Sequence, residues 1–120
     1  MREIEAKLRV KNPDSVASAF IIYEKKLLLL QRDYNEDIID PGCWQLPGGG
    51  VEDNETIDAA IQRELNEEIG IIPEALKFLT SSADGIHYAY YANLSKEEAK
   101  SVRKGSEGKD LCFFFNGRIV

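Results

Sequence analysis

Cysteine is scarce: Cys43 and Cys112 are the only two in 120 residues. Two thiols make no disulfide framework, and neither stands in a metal-spacing pattern, so a reduced, cytoplasmic setting is expected. Long hydrophobic runs are missing as well. The longest near the start, Val16–Tyr23, falls far short of the roughly 20 apolar residues a bilayer span needs. Residues 1–5 carry charge where a secretion signal would begin its apolar stretch. Nor is there a basic stripe. Lys and Arg number 15 against 21 Asp and Glu, a net charge of −6. Extended nucleic acids are held by such stripes, so the balance favours a small phosphorylated partner whose charge a divalent metal can screen. Neither a polymeric nucleic acid nor a membrane is expected as a partner. Repeats, low-complexity tracts and linkers are absent, and residues 1–120 are expected to form a single domain.

What the chain does have is concentrated in one stretch. Ile57, Ile61, Leu65 and Ile69 recur at every fourth residue and draw an apolar stripe down a helix. Asn54 is the N-cap candidate, with Glu55 and Asp58 suited to the positive helix end, and Gly70 stands where a C-cap glycine would. Glu64, Glu67 and Glu68 relate as i, i+3 and i+4, so they share a face that borders the stripe. An acidic helix face is normally just solvated. Here three like charges crowd one patch, and a divalent cation with a taste for hard oxygens would relieve their repulsion. The run Gly48-Gly49-Gly50 after Pro47 lets backbone approach a ligand closely and can aim N–H groups at phosphate. Arg63 faces away from the stripe's centre, with Glu55 or Glu67 as its expected partner.

Around this stretch, residues 4–10 alternate as a strand, and residues 16–23 and 27–30 read as a hairpin buried on both faces about a turn at 24–26. A polar loop covers 31–42, and residues 44–46 form a short strand into the glycines. Strands over 75–80 and 86–94 flank an Asp84-Gly85 turn. Ser95 with Glu98 is a capping-box pair opening a short helix to Val102, and residues 111–115 close as a strand. Strands on both sides of a central helix predict a mixed α/β or α+β domain.

The spacing Gly49, Glu55, Arg63, Glu64, Leu65, Glu67, Glu68, Gly70, Ile71, entered through Leu46-Pro47-Gly48 and Gly50, resembles the signature of the Nudix (MutT-type) hydrolases with no position missing. The resemblance extends over nearly the whole chain, with the signature at residues 49–71. It implies an α/β/α sandwich around a mixed sheet, the signature forming loop-helix-loop, and cleavage of nucleoside diphosphates linked to a further moiety by water with Mg²⁺ or Mn²⁺. By resemblance Glu64, Glu67 and Glu68 are metal ligands and catalytic, Gly48 presents backbone to the metal, Gly49 faces the phosphates, and Glu55 and Arg63 support the shell. Glu107, in Ser106-Glu107-Gly108-Lys109, is similar to a downstream acidic ligand or general base. Arg32 resembles a strand-end arginine that reaches a phosphate, and Tyr88 lies where dinucleoside-polyphosphate hydrolases of the family carry a tyrosine. Tyr90, Tyr91, Phe113 and Phe115 are further stacking candidates, though aromatics alternating on strands are more often core.

The expected substrate is a nucleoside triphosphate, cleaved to monophosphate and pyrophosphate, with 8-oxo-dGTP one candidate. Dinucleoside polyphosphates or other nucleoside diphosphate derivatives are the alternative enzyme reading, and a non-catalytic nucleotide sensor is the alternative class. Pro73 comes too early for the ADP-ribose-cleaving pattern. The resemblance also implies a C-terminal helix that the sequence, ending at residues 117–120, does not carry. That leaves the base side open, closed by a second copy in a homodimer, or lost.

Overall fold

The computed structural model describes residues 14–33, 42–106, 108 and 110–115. The expected strand at 4–10, most of the loop over 31–42, Glu107 and the tail at 117–120 lie outside them. The described chain runs β1 (Val16–Tyr23), β2 (Lys26–Gln31), β3 (Trp44–Gln45), β4 (Gly48–Gly50), α1 (Ile57–Ile69), β5 (Lys77–Ser81), β6 (His87–Asn93), α2 (Lys96–Ser101) and β7 (Asp110–Phe115). The result is a mixed sheet with two helices, the α+β class expected. Among the described residues no helix is long and apolar enough to cross a membrane.

The sheet is organised by a divergence between β1 and β2. The two pair as antiparallel strands only next to their turn, Ile22 with Leu27 and Tyr23 with Lys26. Beyond it β1 follows β6, in parallel register from Val16–His87 to Ile22–Asn93, whereas β2 follows β7 along its whole length. The edges that face each other across the split are taken by short strands. β3 pairs Leu30 and Gln31 of β2, and β4 pairs Val16 to Ser18 of β1. Residues 46 and 47 carry the chain from one side of the split to the other. β5 completes the sheet against β6, with an irregularity between Phe78 and Thr80.

The turn is tighter than the expected 24–26: Lys26 belongs to β2, and Glu24 and Lys25 alone turn the chain, both at positive φ (49° and 64°). Positive φ at both positions matches the twist of a two-residue hairpin. Burial on both faces is not what β1 shows. Ala17, Ala19 and Ile21 are fully buried, while the intervening residues are half-buried.

α1 lies on the buried face. Ile57, Ile61, Leu65 and Ile69 are all at 0% exposure, packed with Ala17, Ala19, Ile21, Tyr88 and Tyr90. Burying each such side chain stabilises by about 1.5–3 kcal/mol. The N-cap is Thr56 and not Asn54: Thr56 Oγ1 accepts from Ala59 N at 3.0 Å, while Asn54 sits in the preceding turn at φ 65°. Gly70 is the left-handed C-cap expected. The last carbonyls of α1 are satisfied from the segment after α2, by Arg103 N on Ile69 O (2.9 Å) and Gly105 N on Glu68 O (3.2 Å). That approach demands glycine, since a Cβ on Gly105 would stand 1.9 Å from Glu67 O. The Ser95–Glu98 capping box forms at α2 as expected.

Candidate active site

The glycine run, expected as a loop, is a strand. Alternation in an antiparallel ladder fixes where its backbone points. Ala19 N donates to Pro47 O and Val51 N to Ser15 O, so Gly48 and Gly50 belong to the pairs whose N–H and C=O groups turn away from β1. Two contacts confirm the direction: Gly48 N donates to Glu68 Oε1 at 2.6 Å, and Gly50 O accepts from Arg63 Nη2 at 2.9 Å. The open edge of β4 therefore faces the acidic edge of α1. The contact leaves no space for a side chain at Gly49, where a Cβ would lie 2.6 Å from the Glu64 carboxyl carbon.

Arg63 ties the same elements together. Its Nε donates to Glu55 Oε2 (2.7 Å), Nη2 to Glu55 Oε1 (3.0 Å) and Nη1 to Glu64 Oε1 (2.8 Å). Of the two expected partners, Glu55 takes the bidentate fork. Glu67 Oε2 stands at 3.7 Å, and Glu64 is a partner the sequence did not single out. Glu55 Oε1 also accepts from Glu52 N, closing the turn before α1. The hydrogen bond from Arg63 holds the Glu55 carboxyl below the ordinary glutamate value, against the opposing effect of its burial. The reciprocal bond from Glu55 raises Arg63 above the ordinary arginine value.

Glu64 and Glu68 are half-buried at the border of the stripe, where all three glutamates were expected, whereas Glu67 is exposed beside them. They wall two hollows. One, of about 360 Å³, occupies the split between β1 and β2 and is lined by Arg32, Asp33, Gln45, Gly48, Gly49, Glu64 and Glu68. The other, of about 180 Å³, is lined by Glu64, Glu67, Glu68 and Ser106. Arg32 thus meets the glutamates across the split. Its Nη1 donates to Gln45 Oε1 at 3.3 Å, and its buried Nε has no hydrogen-bond partner among the described residues.

Tyr88 is not in either hollow. It is buried at 3% exposure in the core beneath α1, so it offers no face to a base at the surface. The period-two pattern of β6 sends Tyr88 and Tyr90 to the same inner face. Tyr90 is hydrogen-bonded there to Asp58, and its phenol is raised above the ordinary tyrosine value by burial first and by Asp58 second. Glu107 lies outside the described residues, whereas its neighbours Ser106 and Gly108 line the smaller and the larger hollow. Sequence reasoning assigned no site role to Asp33, Gln45 or Ser106. Asp33 follows Arg32 directly, but the others reach the site only through strand pairing or the return from α2, which leaves no local signal.

Among the described residues, no three carboxylate, thiol or imidazole groups are gathered closely enough to hold a metal ion. Glu64 is turned to Arg63 and Glu68 to Gly48 N. The donor chemistry nevertheless fits a hard divalent cation: carboxylate oxygens on one helix edge, with outward-facing backbone of the glycine strand opposite. The bare Cα of Gly49 leaves the Glu64 carboxylate the space it occupies.

A NUDIX domain family model matches residues 12–115. Over 74 residues the chain is 38% identical to an RNA pyrophosphohydrolase of Shewanella denitrificans, covering 62% of this chain and 43% of that protein. The same protein from Shewanella frigidimarina is 39% identical over 66 residues, 55% of this chain and 38% of the relative. The chain thus spans about two-fifths of the length of these curated relatives. Among solved structures, a MutT NUDIX hydrolase from Burkholderia pseudomallei superposes with a TM-score of 0.71 at 28% identity, covering 88% of this chain and 84% of that one. The NUDIX domain of NrtR from Shewanella oneidensis, complexed with ADP ribose, shares the fold at a TM-score of 0.70 and 20% identity, over 92% and 77% of the two chains.

Proposed function

The chain belongs to the Nudix family, and from that premise we propose that it hydrolyses a phosphoanhydride bond in the 5′-triphosphate of a nucleotide, releasing monophosphate and pyrophosphate. The observation that carries the reading is the joining of α1 to β4. Glu68 is bonded to Gly48 N, Arg63 spans Glu55, Glu64 and Gly50, and Arg32 stands across the split. A module that only bound nucleotide would not need three carboxylates held on one edge in this way.

Glu64, Glu67 and Glu68, with the Gly48 backbone, would hold Mg²⁺ or Mn²⁺. When bound, the metal supplies charge neutralisation on the diphosphate and a lowered pKa for the attacking water. The chain's own part is positioning. Arg63, anchored by its fork on Glu55, donates Nη1 to the Glu64 carboxylate, which limits the orientations that carboxylate can adopt. Arg32 offers its guanidinium to a phosphate oxygen, and its Nε, without a partner among the described residues, is a donor left for an acceptor. Proton removal from water falls to a glutamate of this edge or to Glu107.

The similarity to RNA pyrophosphohydrolases favours a second reading of the substrate, an RNA 5′-triphosphate. Free nucleotide and RNA end share the reactive group. The test is product analysis on a panel of canonical and 8-oxo (d)NTPs, diadenosine polyphosphates, ADP-ribose and 5′-triphosphorylated RNA, with and without Mg²⁺. Pyrophosphate from a triphosphate only with metal supports the proposal. Binding without turnover across the panel moves the chain to a sensor role.

A further inference from the structure

Net charge is a sum, and it conceals a basic groove on the side of the glutamates away from the split. α2 sorts its charges by face. Lys96 and Lys100 line a hollow of about 250 Å³ together with Ala99, Lys26, Tyr23 and Phe113. Glu98 is turned elsewhere, accepting from Glu74 N and Ser95 N. A second hollow of about 290 Å³ shares Ala99 and Phe113 with the first and adds Arg103 and Lys104. Five cations therefore border two adjoining hollows, read as one groove, on a chain whose net charge is −6, and among the described residues Asp110 is the single carboxylate lining them. Half-buried aromatic rings form part of its floor, with Tyr23 and Phe113 tilted against each other at 6.2 Å.

The groove leads to the glutamates. From Arg103 the chain bonds its way along the end of α1, Arg103 N to Ile69 O and Gly105 N to Glu68 O, and arrives at Ser106 in the hollow of Glu64, Glu67 and Glu68. Four residues span at most about 14 Å. A strand lying in the groove would thus have its end within reach of the hydrolytic edge. Cations beside aromatic rings are the means by which proteins hold single strands, phosphates by charge and bases by stacking. An acidic peptide would also suit the charge, but nothing about it would call for a groove that ends at a phosphoanhydride-cleaving site.

We propose that the groove between α2 and β7, bordered by Lys26, Lys96, Lys100, Arg103 and Lys104, binds the body of a single-stranded RNA whose 5′-triphosphate enters the glutamate site. The proposal rests on the phosphoanhydride reading for the triphosphate and on the groove alone for the strand, so the two can fail separately. The test uses Lys96→Gln/Lys100→Gln, two exposed positions outside the catalytic cleft. Binding of a labelled 12-nucleotide RNA with a 5′-hydroxyl is followed against salt, and kcat/KM is compared for the same RNA with a 5′-triphosphate and for free GTP.

The double variant is expected to bind the RNA about tenfold more weakly at low salt. Its log–log salt slope should be shallower by about 1.4, two contacts on a single strand. It should lose a similar factor in kcat/KM on the RNA and stay within about twofold on GTP. Unchanged RNA affinity and slope, or an equal loss on GTP, would overturn the groove. So would loss of a poly-glutamate peptide with RNA binding intact, which would assign the surface to an acidic protein. RNA binding that the variant weakens, in a protein that cleaves no triphosphate, would uphold the groove and sink the reaction.

Discussion

Replacing Arg63 by lysine keeps the charge and removes the fork. The guanidinium now serves both Glu55 oxygens, Glu64 and the Gly50 carbonyl, at 2.7–3.0 Å. An ammonium is a single point with three rotatable donors and cannot span that set. At least two charge-assisted bonds are lost. Each would contribute about 1.5–3 kcal/mol if fully buried, but the Arg63 side chain is 25% exposed and its two carboxylate partners 15% each, so screening reduces this to about 1 kcal/mol per bond. The total of about 2 kcal/mol is divided between fold and function. About half appears in thermal stability, a fall in Tm of about 4 °C. The rest, about 1 kcal/mol, frees the Glu64 carboxylate to wander, and kcat falls by about fivefold with KM little changed. The assay is pyrophosphate release at saturating triphosphate and Mg²⁺, beside a thermal melt. Glu55→Gln should reproduce the loss, and combining the two changes should cost less than their sum, since they remove one network. A variant with lowered Tm but kcat within twofold of the parent would refute the positioning role and leave Arg63 as a strut.

Three further outcomes follow from the fold. Leu65→Ala should destabilise by about 2–5 kcal/mol in a urea titration, because Leu65 is fully buried at the centre of the α1 stripe. Gly105→Ala should lower both Tm and turnover, as its Cβ would collide with Glu67 O and push the return from α2 away from the glutamates; activity and melting curves equal to the parent would contradict that close approach. Glu98→Ala should cost about 1 kcal/mol at pH 7 through loss of the capping box. Glu98 lies below the ordinary value of 4.5 because backbone N–H groups of Ser95 and Glu74 donate to it, so its contribution is complete above pH 4.5 and lost as pH falls through the depressed value. The gap between parent and variant in urea stability should therefore narrow only below pH 4.5.

The helix and its chemistry were legible because they are local. Ile57, Ile61, Leu65 and Ile69 announce one face, Gly70 one end, and the glutamate spacing another face, and all three survive packing unchanged. The N-cap was not: Asn54 and Thr56 are both competent, and the choice falls to Thr56 because Asn54 is needed in the positive-φ turn that Glu55 closes. The glycine run could be read as close backbone approach but not as a strand, since its pairing partner lies some thirty residues upstream in β1. Tyr88 shows the opposite failure, where a positional likeness suggested a ligand contact and the alternation of β6 assigned the ring to the core. Arg32, Gln45 and Ser106 meet the glutamates through the splitting of β1 from β2 and the return from α2, which are properties of the assembled sheet.

The most direct test of the central claim is pyrophosphate release from a nucleoside or RNA 5′-triphosphate by the parent protein and by Glu68→Gln, each with Mg²⁺ and with chelator. Glutamine can still accept from Gly48 N, so the variant should melt close to the parent. The account predicts release by the parent only with Mg²⁺ and a loss of at least about a thousandfold in the folded variant, a barrier rise of about 4 kcal/mol. Undiminished Mg²⁺-dependent release by Glu68→Gln would contradict it.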